Sequence, residues 1–198
     1  MLELTPEAKV YLGFLGVIAL LRLGELVISK RNWRHHVEQE RHMLTERVFP
    51  FMVLLHLSMF ALLPLELILR RPTFGGPVSW IALVLTGLAL VLRFWTLRTM
   101  GRSWNVRVVF GDTYPIVDNG PYRFIRHPNY LVVVLELLCL PLIFKLYFSA
   151  AFLSLINALV LRVRIRAEES VLARNPEWVA RMAHKPRFLP GLGSGSGS

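Results

Sequence analysis

The chain has 198 residues, 54% of them apolar and 18% charged, with a mean hydropathy of +0.48 and a formal charge of +10. Soluble domains carry about 25% charge, and disordered chains carry more charge with fewer aliphatic residues, so both classes are excluded. One cysteine, Cys139, excludes an internal disulfide and a cysteine-rich metal site. The length fits one domain over residues 1–192, and the glycine–serine alternation from Gly193 to Ser198 reads as an appended linker.

Val10 to Ile28 is an apolar run interrupted only by Arg22 and Glu25; Val48 to Leu69 is a second and Val78 to Leu97 a third. No signal-peptide pattern is expected before them, because Met1 to Lys9 is acidic as well as basic. The fourth run, Tyr130 to Val163, is broken near its middle by Lys145. A crossing needs about 20 residues, so this run is too long for one and is expected to fold as a tight hairpin turning near Phe144 to Ala150. The sequence predicts an all-α integral membrane bundle of about five transmembrane helices, at residues 10–28, 48–69, 78–97, 130–147 and 149–165.

The basic residues test that topology. With five crossings, Lys30 to Arg47, Arg98 to Arg126 and the tail from Arg162 fall on one side and hold seventeen Lys and Arg, against four on the other. This positive-inside bias puts the amino terminus outside and the tail in the cytoplasm, as in a bacterial cytoplasmic membrane. The charge is thus explained by a membrane surface, and nucleic acid is not an expected partner.

Ionisable groups inside hydrocarbon ask for a partner or a role. Arg22 and Glu25, three residues apart on one helical face, read as a neutralising pair that faces the bundle. Glu66 and Arg93 lie near span ends and are expected to snorkel to the interface. His56 and Glu136 are deeper. Glu136 is the stronger functional candidate, two helical turns beyond the densest polar motif.

That motif is Gly120-Pro121-Tyr122-Arg123-Phe124-Ile125-Arg126-His127-Pro128-Asn129-Tyr130. Pro128 suits a first helical position and pushes His127 into an extended conformation. The N–H groups of Asn129, Tyr130 and Leu131 would then point at the rim, beside Arg126 and His127. Such a corner suits a carboxylate or phosphate, and it reads equally as a capped helix start with an interfacial arginine.

After the last span come Arg162-Val163-Arg164-Ile165-Arg166-Ala167-Glu168-Glu169. On a continuing helix Arg162, Arg166 and Glu169 share one face, and Arg164 and Glu168 another. These groups read either as surface ion pairs of small worth, or as carboxylates and cations around a ligand. Between the third and fourth spans, Gly101 to Arg107 contains Trp104, an aromatic plane suited to a purine or to a membrane-interface belt.

Together these stretches resemble the isoprenylcysteine carboxyl methyltransferase family of integral membrane enzymes, through Gly120 to Tyr130 and Arg164 to Glu169. The resemblance covers about Leu97 to Pro190. Arg22 to Leu26, Lys30 to Asn32 and Ser103 to Asn105 look like a bacterial subgroup that methylates alkylpyrone or alkylresorcinol hydroxyls. Family members usually place tyrosines after the Glu-Glu pair, where this chain has Trp178.

The resemblance implies S-adenosylmethionine as methyl donor, held in a cytoplasmic cofactor-binding cap without a Rossmann fold. Arg126, His127 and the backbone from Pro128 and Asn129 would take its carboxylate. Glu168 or Glu169 would hold ribose or amino group, with Arg166 beside them, and Tyr122, Tyr130 or Trp104 would flank adenine. Catalytic candidates are His127, Arg126 and Glu136, and no metal is expected. A lipophilic acceptor, an isoprenylcysteine-like acid or an alkylpyrone or alkylresorcinol, would enter from the bilayer among membrane lipids. The competing readings are an NADPH-dependent membrane reductase of sterol-reductase type, a phospholipid N-methyltransferase, and a non-catalytic scaffold.

Overall fold

A computed structural model describes residues 4–38, 41–44, 48–111 and 114–189. Five helices form the bundle: α1 (Pro6–Glu38), α2 (Phe49–Arg70), α3 (Gly76–Met100), α4 (Pro128–Leu142) and α5 (Tyr147–Leu172). A short α6 (Pro176–Met182), a two-stranded ribbon of β1 (His42–Met43) and β2 (Val109–Phe110), and 3-10 turns at Gly101–Ser103 and Gly120–Arg123 accompany the bundle. The glycine–serine tail and Arg47, one of the seventeen basic residues, lie outside the described residues.

Four helices, α1, α2, α3 and α5, are long and apolar enough to cross a membrane. Their outward faces are apolar, with Val10, Leu20, Leu57, Ile81, Val91 and Leu155 more than half exposed. Such a surface is stable only when covered by lipid. This is a membrane bundle, as the composition requires.

The fourth apolar run does fold as a hairpin, but its turn falls at residues 143–146, earlier than expected. Pro141 sits inside the end of α4 and Lys145 adopts a left-handed φ of 54°, so the break precedes Phe148. In consequence α4 has 15 residues, about 22 Å at the helical rise, and is shorter than a full crossing.

Contacts sort the helix ends. Tyr11 at the start of α1 donates to the Leu140 carbonyl at 2.8 Å, and Phe74 before α3 lies 5.8 Å from Phe144. Glu66 near the end of α2 accepts from the Ser149 N–H at 2.8 Å and its hydroxyl at 2.6 Å. Glu66 therefore does not snorkel outward; it is buried as a cap on the start of α5, where a carboxylate suits the positive helix end. The end of α1, the start of α2, the end of α3, the start of α4 and the end of α5 share the opposite end, with the ribbon and α6.

Spacing explains the packing. On α3 the buried residues are Ser79, Ala82, Thr86, Ala89, Arg93 and Thr96, a three-four repeat of mostly small side chains. Small residues let helix backbones approach in lipid, and α3 packs most extensively on α4. On α1 the same repeat runs through Tyr11, Leu15, Ile18, Glu25, Ser29, Asn32 and His36. One face thus stays buried while its chemistry changes from apolar to polar, and α1 runs ten residues beyond the expected end at Ile28.

Halfway along the bundle, four charged side chains close on one another. Arg22 donates to Glu25 at 2.9 Å and to Glu136 at 2.6 Å. Arg93 grips Glu25 with both Nε, at 2.5 Å, and Nη2, and reaches Glu136 at 3.4 Å. The pairing of Arg22 with Glu25 is as expected. Arg93 is a correction: it is 7% exposed and turned inward rather than snorkelling.

Candidate functional site

The cap is built where α4 and α5 emerge together. Gly120 opens a 3-10 turn (Gly120–Arg123) with φ of 54°, and a Cβ there would run into Thr99 Oγ1. Glycine is required so that this turn can lie against the end of α3. Pro128 is the first residue of α4, and His127 before it has φ −126° and ψ 59°. The N–H groups of Tyr130 and Leu131 both donate to the His127 carbonyl at 3.1 Å. Two of the three donors expected to face a ligand are therefore spent inside the helix start.

The Arg126–His127 corner and the Glu168–Glu169 pair meet. His127 Nε2 lies 2.9 Å from Glu169 Oε1, and Arg126 Nη1 lies 3.2 Å from the same oxygen. Arg187, from the tail, closes on Glu169 Oε2 at 2.6 Å. The tail is itself stitched down, since the Arg126 and His127 N–H groups donate to the Pro186 and Arg187 carbonyls at 2.9 and 3.1 Å. Glu168 accepts from the Tyr130 hydroxyl, which accepts in turn from Arg164 Nε at 2.9 Å. Arg164 also donates to the Val106 carbonyl at 2.5 Å, tying α5 to the loop that follows α3.

A cleft lies over this arrangement. Of the predicted residues, Trp104, Tyr122, Arg126, His127, Asn129, Tyr130 and Glu168 line it. Pro128, Arg166, Glu169 and Glu136 do not. Pro128 is buried in the helix start, Glu169 stands behind His127, and Glu136 sits in the mid-bundle charge cluster. Arg166 faces away from the cleft on the other side of α5. His56, the other deep candidate, has its Nδ1 2.8 Å from the Met52 carbonyl one turn earlier.

The cleft also contains residues that motif reading did not assign: Asn105, Tyr114, Arg164, Trp178 and Met182. Arg164 was legible as the residue one helical turn before Glu168. Trp178 had a weaker signal, the Asn175-Pro176 start of α6, where Asn175 Oδ1 accepts from the Glu177 N–H at 2.9 Å. Asn32 of α1 donates to the Trp104 carbonyl at 2.7 Å, and buried His36 packs 5.9 Å from the Tyr114 ring. The end of α1 thus forms a wall behind the cleft. Residues 31–38 continue that helix.

Burial, and then the Glu168 carboxylate, pushes the Tyr114 and Tyr122 hydroxyls up from their ordinary value. Both remain protonated donors, and Tyr114 donates to the Ser103 carbonyl at 3.1 Å. Among the described residues, three buried polar atoms at the cleft have no hydrogen-bond partner: Trp104 Nε1, Asn129 Oδ1 and Arg126 Nε. Each such atom costs about 1–3 kcal/mol when left unsatisfied, so their clustering makes this cleft the candidate ligand site. Among the described residues, no group of three or more His, Cys, Asp or Glu could hold a metal ion.

The sequence model of the isoprenylcysteine carboxyl methyltransferase (ICMT) family matches residues 80–174, which include both motifs. The uncharacterized protein YpbQ of Bacillus subtilis (strain 168) is 32% identical over 161 residues, 80% of this chain and 94% of that protein. The chain belongs to the isoprenylcysteine carboxyl methyltransferase family. The nickel-cobalt-cadmium resistance protein NccN of Alcaligenes xylosoxydans xylosoxydans is 33% identical over 99 residues, 49% of this chain and 46% of that protein. The solved structure of the eukaryotic intramembrane Ras methyltransferase ICMT shares the fold, with a TM-score of 0.56 at 20% identity. That match covers 86% of this chain and 63% of the eukaryotic one. The chain therefore spans about half the length of NccN and less than two thirds of that enzyme.

Proposed function

We propose that the protein transfers a methyl group from S-adenosylmethionine to an oxygen of a lipophilic acid or acidic hydroxyl compound, with the cofactor in the cap cleft. One observation carries the reading: two motifs distant in sequence converge on a cleft that keeps buried polar atoms without partners. The donor set fits the cofactor. Arg126 suits its carboxylate, the Glu168 carboxylate its ammonium or ribose hydroxyls, and Trp104, Tyr114 and Tyr122 its adenine. Asn129 Oδ1 and Trp104 Nε1 add an acceptor and a donor.

When bound, S-adenosylmethionine supplies an electrophilic methyl on sulfur. The chain's own work is alignment, water exclusion and control of charge. Glu169 clamps His127 and Arg126, fixing the corner that orients anionic groups. Tyr130, held by Arg164, orients Glu168. Carboxylates flank both ring nitrogens of His127, Glu169 at 2.9 Å from Nε2 and Glu168 at 4.0 Å from Nδ1, and Glu136 is engaged by two arginines, so neither faces an acceptor hydroxyl as a free base. The arrangement therefore favours an acceptor that ionises unaided, such as a carboxylate or a hydroxypyrone, over an alkylresorcinol. The acceptor's apolar tail would lie among the spans, reached from the bilayer, with the cap in the cytoplasm and the amino terminus outside.

Membranes containing the protein should transfer labelled methyl from S-adenosylmethionine to a long-chain acid or acylated hydroxypyrone. Glu168→Gln and His127→Ala should each lower the transfer at least tenfold at limiting S-adenosylmethionine while leaving the purified protein folded. S-adenosylmethionine should raise the unfolding temperature and NADPH should not. Stabilisation by NADPH alone would replace this reading with a reductase, and stabilisation by neither would leave a scaffold.

A further inference from the structure

On the side of α5 turned away from the cleft lies a second groove, between the α4–α5 hairpin and the tail. Its floor is apolar, made by Leu161, Ile165, Val134 and Phe188, which pack together as one cluster. Ala158, one helical turn before Arg162, has a side chain too small to fill the space beside Val134. Arg162, Arg166 and Arg187 stand around the groove. Arg187 already pairs with Glu169. Arg162 and Arg166 are exposed and have no ion-pair partner among the described residues.

The level of this groove in the membrane can be read from α5. Its outward residues Phe148, Phe152, Leu155 and Leu159 are 62%, 43%, 63% and 57% exposed, an apolar band that needs hydrocarbon around it. At Arg162 and Arg166 the outward chemistry becomes cationic. Guanidinium groups just past an apolar band sit at the depth of lipid phosphates. The groove thus offers apolar space on the hydrocarbon side and two uncommitted cations on the headgroup side.

We propose that this groove binds an anionic phospholipid of the leaflet at the cap end, its phosphate held by Arg162 and Arg166 and one acyl chain lying over Ala158 and Val134. Guanidinium forks match phosphate oxygens in pairs. A zwitterionic lipid would bring a cationic amine against the same arginines, which selects for net negative headgroups. Inorganic phosphate would leave the apolar floor uncovered, which selects for a lipid over a free ion. Arg187 lies at the edge of the groove and also grips Glu169, so the headgroup binds within one residue of the clamp on His127.

Native mass spectrometry of the full chain released from vesicles of phosphatidylglycerol and phosphatidylcholine in equal amounts tests the site. The wild-type protein should retain phosphatidylglycerol over phosphatidylcholine, and R162Q/R166Q should lower that preference at least tenfold, as expected when charge-assisted hydrogen bonds to a seated phosphate are lost. R162K/R166K should keep most of it. R31Q/R34Q, which removes equal charge from exposed positions of α1, should leave it unchanged. Both glutamine pairs replace exposed side chains, and an unaltered unfolding temperature would show that they fold. The proposal is overturned if R162Q/R166Q retains the lipid like wild type, or if R31Q/R34Q loses as much. It also falls if inorganic phosphate at millimolar concentration displaces the lipid.

Discussion

Two polar regions of this bundle obey opposite rules. The mid-bundle cluster of Arg22, Glu25, Arg93 and Glu136 contains two cations and two anions, and each carboxylate is engaged by both arginines. The cap cleft has as many charged groups, yet Trp104 Nε1, Asn129 Oδ1 and Arg126 Nε are buried there without partners among the described residues. In a low dielectric an unpaired polar atom is costly, so a closed network is a fastening and an open one is a seat for something else. Burial of charge alone does not separate the two; the leftover hydrogen-bonding capacity does.

The fastening is the easier to break, and breaking it should have the largest effect. Glu25→Gln removes the carboxylate that Arg22 and Arg93 share and leaves buried guanidinium charge uncompensated. Removal of one partner from a buried pair typically costs about 3–5 kcal/mol. The variant should unfold at a much lower temperature in detergent, and any protein that remains folded should bind S-adenosylmethionine with wild-type affinity. Loss of affinity without loss of stability would reverse the roles assigned to the two regions.

The two regions were unequally legible in the sequence. Apolar runs announced the helices, and basic residues announced which ends lie together. The Arg126–His127 and Glu168–Glu169 stretches announced their own meeting, because the hairpin between them returns the chain to the same end. Partners of Arg93 could not be read, since Glu25 and Glu136 come from helices whose rotation about their axes depends on the packing. The length of α1 was hidden for a related reason. Ser29, Asn32 and His36 continue the buried repeat with polar residues, which a hydrophobic period does not register. Trp178 and Met182 reach the cleft only because α6 folds back on it.

The seat should respond in the opposite sense to the fastening. Glu168→Gln keeps the shape of the cleft and a partner for Tyr130 but removes the charge. A hydrogen bond to a charged group is worth about 1.5–3 kcal/mol, so S-adenosylmethionine affinity measured by calorimetry should fall between about tenfold and a hundredfold. The unfolding temperature without ligand should hardly move. Trp104→Phe sharpens the contrast further. It preserves an aromatic plane and removes the buried Nε1–H that has no partner. The variant should be as stable as wild type or slightly more so, and should bind the cofactor about tenfold more weakly, the loss expected for one ligand hydrogen bond. A drop in stability with unchanged binding would place Trp104 with the fastenings.

The smallest effect concerns the strap that holds α6 over the cleft. Arg181 donates to Asp118 at 2.7 Å through Nε, and its Nη2 pairs with the second carboxylate oxygen at 2.6 Å. The Arg181 hydrogen bond holds the Asp118 carboxyl below its usual range. The folded state therefore prefers the ionised form, and the contribution is fully present above the unfolded value of about 4 and lost as pH falls through the lower folded value. Both side chains face solvent, so the effect on stability is small. Wild-type protein should lose slightly more of its unfolding temperature than Asp118→Asn between about pH 6 and about pH 3, where only the wild type gives up this pair. Because the strap joins the loop carrying Ile116 to the helix carrying Trp178 and Met182, its loss should also loosen cofactor binding more than it lowers stability. If Asp118→Asn binds as wild type does while unfolding earlier, this contact fastens the cap and contributes nothing to the seat.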